Sequence, residues 1–312
     1  MKKIIIILSL VILSLSVFYV IGNFSEKVYN NEKKEEVSKH ELSKQQETWG
    51  FKDTIINSNI KNKKKVKVAI LDSGINKEHP DLKRQVKHEF NAVNSNQTVE
   101  DKFNHGTSIA GIIAAKNNKI GIRGIVPSAD IYSVKVLNDE GIGSVDNIVK
   151  GIEWSINQDV KIINLSFGME KDSAELKRVI QKAISQGIII VAASGNNYMK
   201  DVDYPAKYPN VISVGSIDKN HERLRFSPKG KIDVVGPGRD ILSTNNHQGY
   251  STFEGTSHST AFVTGIIALY ILDHPEKNFN QEEAFKVLEG NSLDLGEIGK
   301  DETFGYGLLQ YK

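Results

Sequence analysis

Three residues of the types that together make an activated nucleophile stand beside glycines in this chain. They are Asp72 in "AILDSGI", His105 in "NHGTSIAGIIAA" and Ser257 in "EGTSHSTAFVTG". Singly, each has a bland reading: an aspartate before Ser-Gly is often a turn residue accepting a backbone N–H, and a histidine ahead of an apolar helix is often a cap. Together, Asp then His then Ser is one possible chain order for a catalytic triad. The chemistry calls for these types. A serine hydroxyl is a poor nucleophile until a neutral imidazole takes its proton. The imidazole needs a buried carboxylate to fix its tautomer, and an amide donor must meet the oxyanion that develops. The tripeptide Gly-Thr-Ser occurs twice, so Ser108 and Ser257 sit in similar local contexts.

Such groups need rigid elements to hold them. Short apolar, β-branched runs recur at residues 66–71, 130–137, 160–166, 187–194 and 211–216. Between several of them lie helix-period stretches, "SVDNIVKGIEWSINQ" and "SAELKRVIQKAISQG", the second ending on Gly187 as a plausible residue just past a helix. Continuous apolar strands alternating with amphipathic helices predict an α/β domain with a mainly parallel sheet covered on both faces. Functional groups in such folds gather beyond the carboxyl ends of the strands, where Asp72, "INLSFG" and "AASGNN" all fall.

The composition narrows the classes. A net charge of +2 with mixed signs gives no reason to expect a nucleic-acid partner, and the basic run "KNKKKVKV" reads as a solvated loop before a buried strand. With no cysteine, a disulfide framework, a thiol nucleophile and cysteine-ligated metal are excluded. Two lysines precede an uncharged apolar run at residues 4–21. That pattern fits a secretory signal and the positive-inside rule alike, and the run is long enough to span a bilayer. Residues 1–22 are therefore expected to be a signal peptide or, in preference, an uncleaved membrane anchor, with the rest of the chain extracytoplasmic or extracellular. Residues 23–47 are polar and without apolar periodicity, a tether or loose helix.

Three separated stretches, "AILDSGINKEHPDL", "HGTSIAGIIAA" and "GTSHSTAFVTG", with "GIVPSADIYSVKVL" and "KYPNVISVGSID" between them, resemble the subtilisin-like serine proteases, the subtilase family. The resemblance covers residues 49–310, and implies a catalytic domain at 48–312 with the subtilisin-like three-layer α/β fold. It implies Asp72 as carboxylate, His105 as general base, Ser257 as nucleophile and Asn196 as side-chain oxyanion donor. It further implies a peptide substrate bound as a strand between residues 138–144, with Gly141 and Gly143, and residues 165–168, with Ser166 and Gly168. Val145, Ile148 and Phe167 would line an apolar S4 pocket, and Asp203 would lie at the base of S1. A buried carboxylate there is costly unless a cation pairs with it, so Arg or Lys is expected at P1. A structural Ca2+ site is also implied, with Asp81, Asn118 and the carbonyls of Lys116, Ile120 and Ile122 as oxygen ligands, and Gln45 or Gln46 as a further one.

Where the family has Pro and then His a few residues after the nucleophile, this chain has Ala261 and Phe262, and His258 follows Ser257 where Met is commoner. Packing is the expected role of both Ser108 and His258. Residues 23–47 are too short for the family's usual pro-domain. The resemblance implies a monomeric endopeptidase cleaving peptide bonds through an acyl-enzyme. A dedicated processing protease, like those that remove lantibiotic leader peptides, is one form of it. A broad-specificity secreted protease is the alternative, and a catalytically silent, membrane-tethered peptide-binding protein is a third.

Overall fold

A computed structural model describes residues 42–57, 64–198 and 201–312, together with the two short strands at 26–27 and 36–37. The expected membrane segment, residues 1–22, lies outside the described residues. Among those described, no helix is long and apolar enough to cross a membrane.

In chain order the elements are β1 (Glu26–Lys27), β2 (Glu36–Val37), α1 (Trp49–Thr54), β3 (Lys67–Asp72), β4 (Val86–Asn91), α2 (Gly106–Ala114) and β5 (Asp130–Lys135). There follow β6 (Ile142–Gly143), α3 (Val145–Asn157), β7 (Ile162–Leu165), α4 (Ala174–Ser185), β8 (Ile189–Ala193) and β9 (Ile212–Ile217). The chain closes with β10 (Val234–Pro237), β11 (Ile241–Thr244), β12 (Tyr250–Phe253), α5 (Thr256–Asp273), α6 (Gln281–Asn291), β13 (Ser292–Leu293) and β14 (Leu308–Leu309).

Nine strands form one sheet in the order β13-β14-β10-β9-β8-β7-β3-β5-β4. Every neighbouring pair is parallel except β13 with β14. Successive side chains on a strand point to opposite faces, and the two cores follow that alternation. Val68 and Ile70 of β3 join one cluster with Ile109 and Ile113 of α2 and Val263 and Ile266 of α5. Ala69 and Leu71 join the other, with Ile148 and Ile152 of α3 and Val179 and Ile180 of α4. The result is the expected three-layer α/β arrangement. α5 is buried nearly all round, from Thr256 to Tyr270. Its small polar residues find buried partners, such as Thr264 Oγ1 donating to Asn164 Oδ1 at 2.8 Å.

Local chemistry sets the helix ends. Ser144 and Ser173 cap α3 and α4 by accepting from Asn147 N and Leu176 N. α4 stops at Gly187 with φ +79; Gly187 N donates to Ile184 O and Ile188 N to Ala183 O, the paired bonds of a glycine-terminated helix.

The polar segment before the domain is more engaged than its composition suggests. β1 pairs antiparallel with β6, Glu26 opposite Gly143, and β2 pairs with β12. Leu42 is buried with Ala115, Ile122 and Tyr250, and Gln45 N and Gln46 N donate to Lys119 O and Gly121 O. Packed structure thus begins before the boundary expected at residue 48. The lone leucine of a polar stretch finds an apolar site that only the distant residues create.

Candidate active site

The parallel sheet delivers Asp72 at the carboxyl end of β3, where the strand turns through Ser73 and Gly74. His105 immediately precedes α2. The two meet because the start of α2 is pressed against that turn: a Cβ on Gly106 would lie 2.1 Å from Gly74 O, so only glycine permits the approach. His105 Nδ1 lies 2.8 and 2.9 Å from the two oxygens of Asp72, and neither side chain is more than 1% exposed. A carboxylate accepts only, so Nδ1 carries the proton, and the neutral ring presents its lone pair at Nε2.

A second buried carboxylate, not singled out by sequence, holds this junction. Asp101 Oδ1 accepts from Ser73 Oγ at 2.8 Å and Asn104 N at 2.8 Å. Its Oδ2 accepts from Thr107 N at 2.9 Å and Thr107 Oγ1 at 2.5 Å. Ser73 Oγ in turn accepts from Gly106 N at 3.0 Å. His105 makes no side-chain cap for α2, so Asp101 and Ser73 satisfy the helix's first amides in its place. Burial pushes the Asp101 carboxyl above its ordinary range, against the bonds from Thr107 and Ser73. The readable signal is an acid four residues before the histidine in "DKFNHGT".

Ser257 stands in the first turn of α5, 2% exposed, its hydroxyl donating to Ser166 O at 2.8 Å. Gly255, before the helix, has φ +145, and a Cβ there would sit 3.2 Å from Asn196 Nδ2. Asn196 Oδ1 accepts from Thr256 N and Thr256 Oγ1, both at 3.0 Å. This orients the amide, oxygen toward Thr256 and nitrogen toward the turn that carries Ser257. Ser108 does not join Ser257: its hydroxyl donates to His105 O at 2.7 Å.

The expected substrate residues divide into three groups. Asp203 comes between Gly168 and Gly195, where added Cβ atoms would lie 2.7 and 2.2 Å from its Oδ2. Asn197 Nδ2 donates to its Oδ1 at 3.1 Å, and reciprocal backbone bonds between Met169 and Tyr204 tie the two segments together. A carboxylate therefore sits beside the Ser166–Gly168 segment and the Asn196 loop. Val145, Ile148 and Phe167 share one apolar cluster, but Ile148 and Phe167 are buried in it, leaving Val145 the partly open member. At Gly141 and Gly143 the space of a Cβ is taken by the Phe103 ring, 2.4 Å away, and by Leu137 Cδ2, 2.7 Å away. These glycines are thus required by packing behind the edge as well as by any backbone approaching it.

At the expected cation site, Gln45 Nε2 reaches the carbonyls of Lys116, Ile120 and Ile122 at 2.7, 3.5 and 3.2 Å. Three carbonyls therefore converge on one point, and Gln45 rather than Gln46 is the glutamine there. Asp81 is buried, and its oxygens accept from Asn118 Nδ2, Ile122 N and Tyr250 Oη at 2.9, 3.1 and 2.9 Å. No three His, Asp or Glu side chains gather to hold a metal among the described residues. The donor set is oxygen-rich and carbonyl-dominated, which suits a hard cation such as Ca2+ once the Gln45 and Asn118 amides turn their oxygens inward.

A family model described as the subtilase family matches residues 63–307. The chain is 40% identical over 252 residues to the minor extracellular protease Epr of Bacillus subtilis (strain 168), covering 80% of this chain and 38% of that protein. It is 43% identical over 247 residues to subtilisin E of the same organism, 78% of this chain and 63% of that one. To subtilisin Savinase of Lederbergia lenta it is 42% identical over 245 residues, 78% and 88% of the two chains. The chain thus spans less than two thirds of Epr and of subtilisin E. Because the match runs from before the strand of Asp72 to well past the helix of Ser257, at identities of 40% and above, the chain belongs to the subtilase family.

Proposed function

We propose that this chain is a subtilisin-type serine endopeptidase, with Ser257 as nucleophile, His105 as general base, Asp72 as its carboxylate, and Asn196 Nδ2 with Ser257 N as oxyanion donors. The buried Asp72–His105 pair carries the reading, since it holds the imidazole in the tautomer a base needs. Ser257 Oγ–H swings from Ser166 O to His105 Nε2 as the oxygen attacks the scissile carbonyl. The proton passes to Nε2, and Asp72 stabilises the imidazolium. His105 then gives that proton to the leaving amine, and water, activated by the same ring, releases the acyl group. Labelling of the folded protein by a fluorophosphonate, on Ser257 and absent in Ser257→Ala, is the expected result. Failure to label folded protein would overturn the reading in favour of a silent peptide binder.

The substrate strand lies between residues 138–144 and 165–168. In support, β6 already accepts an antiparallel strand, β1, from the same chain. Asp203 selects Arg or Lys at P1, and Val145 meets the P4 side chain. Selective cleavage after a basic residue suits peptide processing, such as removal of a leader, better than bulk digestion. A processing enzyme leaves casein intact, whereas the broad protease degrades it.

Asp81, Gln45, Asn118 and the carbonyls of Lys116, Ile120 and Ile122 hold Ca2+, which when bound ties residues 116–122 to the segment before α1. The apolar run at residues 4–21 and the extracellular relative Epr support placement outside the cytoplasmic membrane, anchored if that run is not removed.

A further inference from the structure

Ser108 and His258 are partners. Ser108 Oγ lies 2.7 Å from His105 O and 3.1 Å from His258 Nε2. A carbonyl only accepts, so the single hydroxyl proton of Ser108 is committed to His105 O. His258 Nε2 must therefore donate to Ser108 Oγ. A directed relay runs from His258 through Ser108 to the backbone of His105, and all three residues are buried. The relay links the first turn of α5, beside Ser257, to the first turn of α2.

The two imidazoles also touch directly. Their centroids are 5.6 Å apart at 75°, an edge contact, while Phe253 of β12 stacks on His258 at 5.2 Å. His105 at the start of α2 is the titratable group whose ring meets His258, and Asp72 at the end of β3 stands behind that ring. Asp72 fixes His105 through Nδ1, and the Phe103 ring lies 6.3 Å from it. His258 meets the ring at its side.

We propose that His258, held by Ser108, is a positioning residue for His105: the pair sets the backbone and ring of the base against Ser257. This rests on the proposed triad. Loss of the brace is felt when the proton moves from Ser257 to His105, and not when substrate docks, so it lowers kcat and leaves KM in place.

The test is steady-state kinetics on enzyme titrated with a fluorophosphonate, using His258→Leu, His258→Gln, Ser108→Ala and the double variant His258→Leu/Ser108→Ala. His258→Leu removes the donor; His258→Gln keeps an N–H for Ser108 without a titrating ring. The expected result is a roughly tenfold fall in kcat for His258→Leu and for Ser108→Ala with KM unchanged, a tenfold step being about 1.4 kcal/mol. The double variant should be no worse than His258→Leu alone, and His258→Gln should recover to within about threefold of the parent, as expected for members of one network. The parent's labelling checks the triad separately: an unlabelled parent defeats the proposed function. A labelled parent overturns the brace if kcat is unchanged in the variants, if KM carries the loss, or if the losses multiply in the double variant. Failure of His258→Gln to recover activity while matching the parent's melting temperature also overturns it.

Discussion

Asp203→Asn tests the specificity reading with little disturbance of the fold. The amide keeps the size of the carboxylate and an oxygen to accept from Asn197 Nδ2, now 3.1 Å from Asp203 Oδ1. It also avoids enlarging the space between Gly168 and Gly195, which the side chain fills. What changes is the charge offered to a P1 cation. Unit charges about 4 Å apart at an effective dielectric of about 20 attract by roughly 4 kcal/mol. Asp203 is only partly buried, and screening by water cuts that to roughly half. About 2 kcal/mol corresponds to about a 30-fold change in kcat/KM. The assay compares three chromogenic peptides identical but for Arg, Lys or Leu at P1. Asp203→Asn is expected to lower kcat/KM about 30-fold for Arg and Lys, with Leu changing by no more than a few fold. An Arg-to-Leu ratio that survives the substitution would refute the placement of this carboxylate in S1. So would a parent enzyme that shows no basic preference at all.

Asn196→Ala should reduce kcat by roughly 10²–10³ with little change in KM, the cost measured in subtilisin when its side-chain oxyanion donor is removed; Thr256→Val, which removes one of the bonds orienting that amide, should cost a smaller factor of the same kind. Equal rates for parent and Asn196→Ala would remove the residue from the oxyanion site. For the cation site, added Ca2+ at about 100 times its Kd should stabilise the folded protein by about 2.7 kcal/mol, seen as a rise in melting temperature that a chelator reverses and Asp81→Ala abolishes; a chelator without effect on the parent would count against it. Asp101 carries a pH signature. Its folded pKa is raised by burial, so the stabilisation from its protonation is complete below the unfolded value and is lost as pH rises through the folded one. Asp101→Asn should remove that dependence in urea denaturation at pH 4 and 8. It should also cost about 1–3 kcal/mol, because amide hydrogens would face the donors of Ser73 or Thr107; an unaltered pH dependence would contradict this.

Much of the proposed site was legible because its parts stand at boundaries that sequence marks well. Asp72 closes a continuous apolar strand, and His105 and Ser257 open apolar helices, so the ends of the apolar runs mark them. Other parts were not. β4 is a half-exposed edge strand of mixed polarity, without the continuous apolar run that marked its neighbours. Asp101 has no motif of its own, and its role exists only once the turn after β3 and the start of α2 are brought together. Ser108 and His258 each read as packing when taken singly, and the bond between them spans 150 residues. The choice between Gln45 and Gln46 needed the fold, which turns the Gln45 amide toward the three carbonyls and the Gln46 amide back to Lys44 O.

By itself the sequence determined the α/β class, because continuous apolar strands need both faces covered and the amphipathic helices between them supply that cover. It also determined which residue types were available for chemistry. Tertiary structure alone decided which of them meet. Parallel strands place Asp72, Ser166 and Asn196 at one sheet end, and the close contact of Gly106 with Gly74 brings His105 onto Asp72. Burial then gives these polar groups few alternatives to one another: a hydrogen-bond donor removed from water must find its acceptor among the atoms the fold has put beside it.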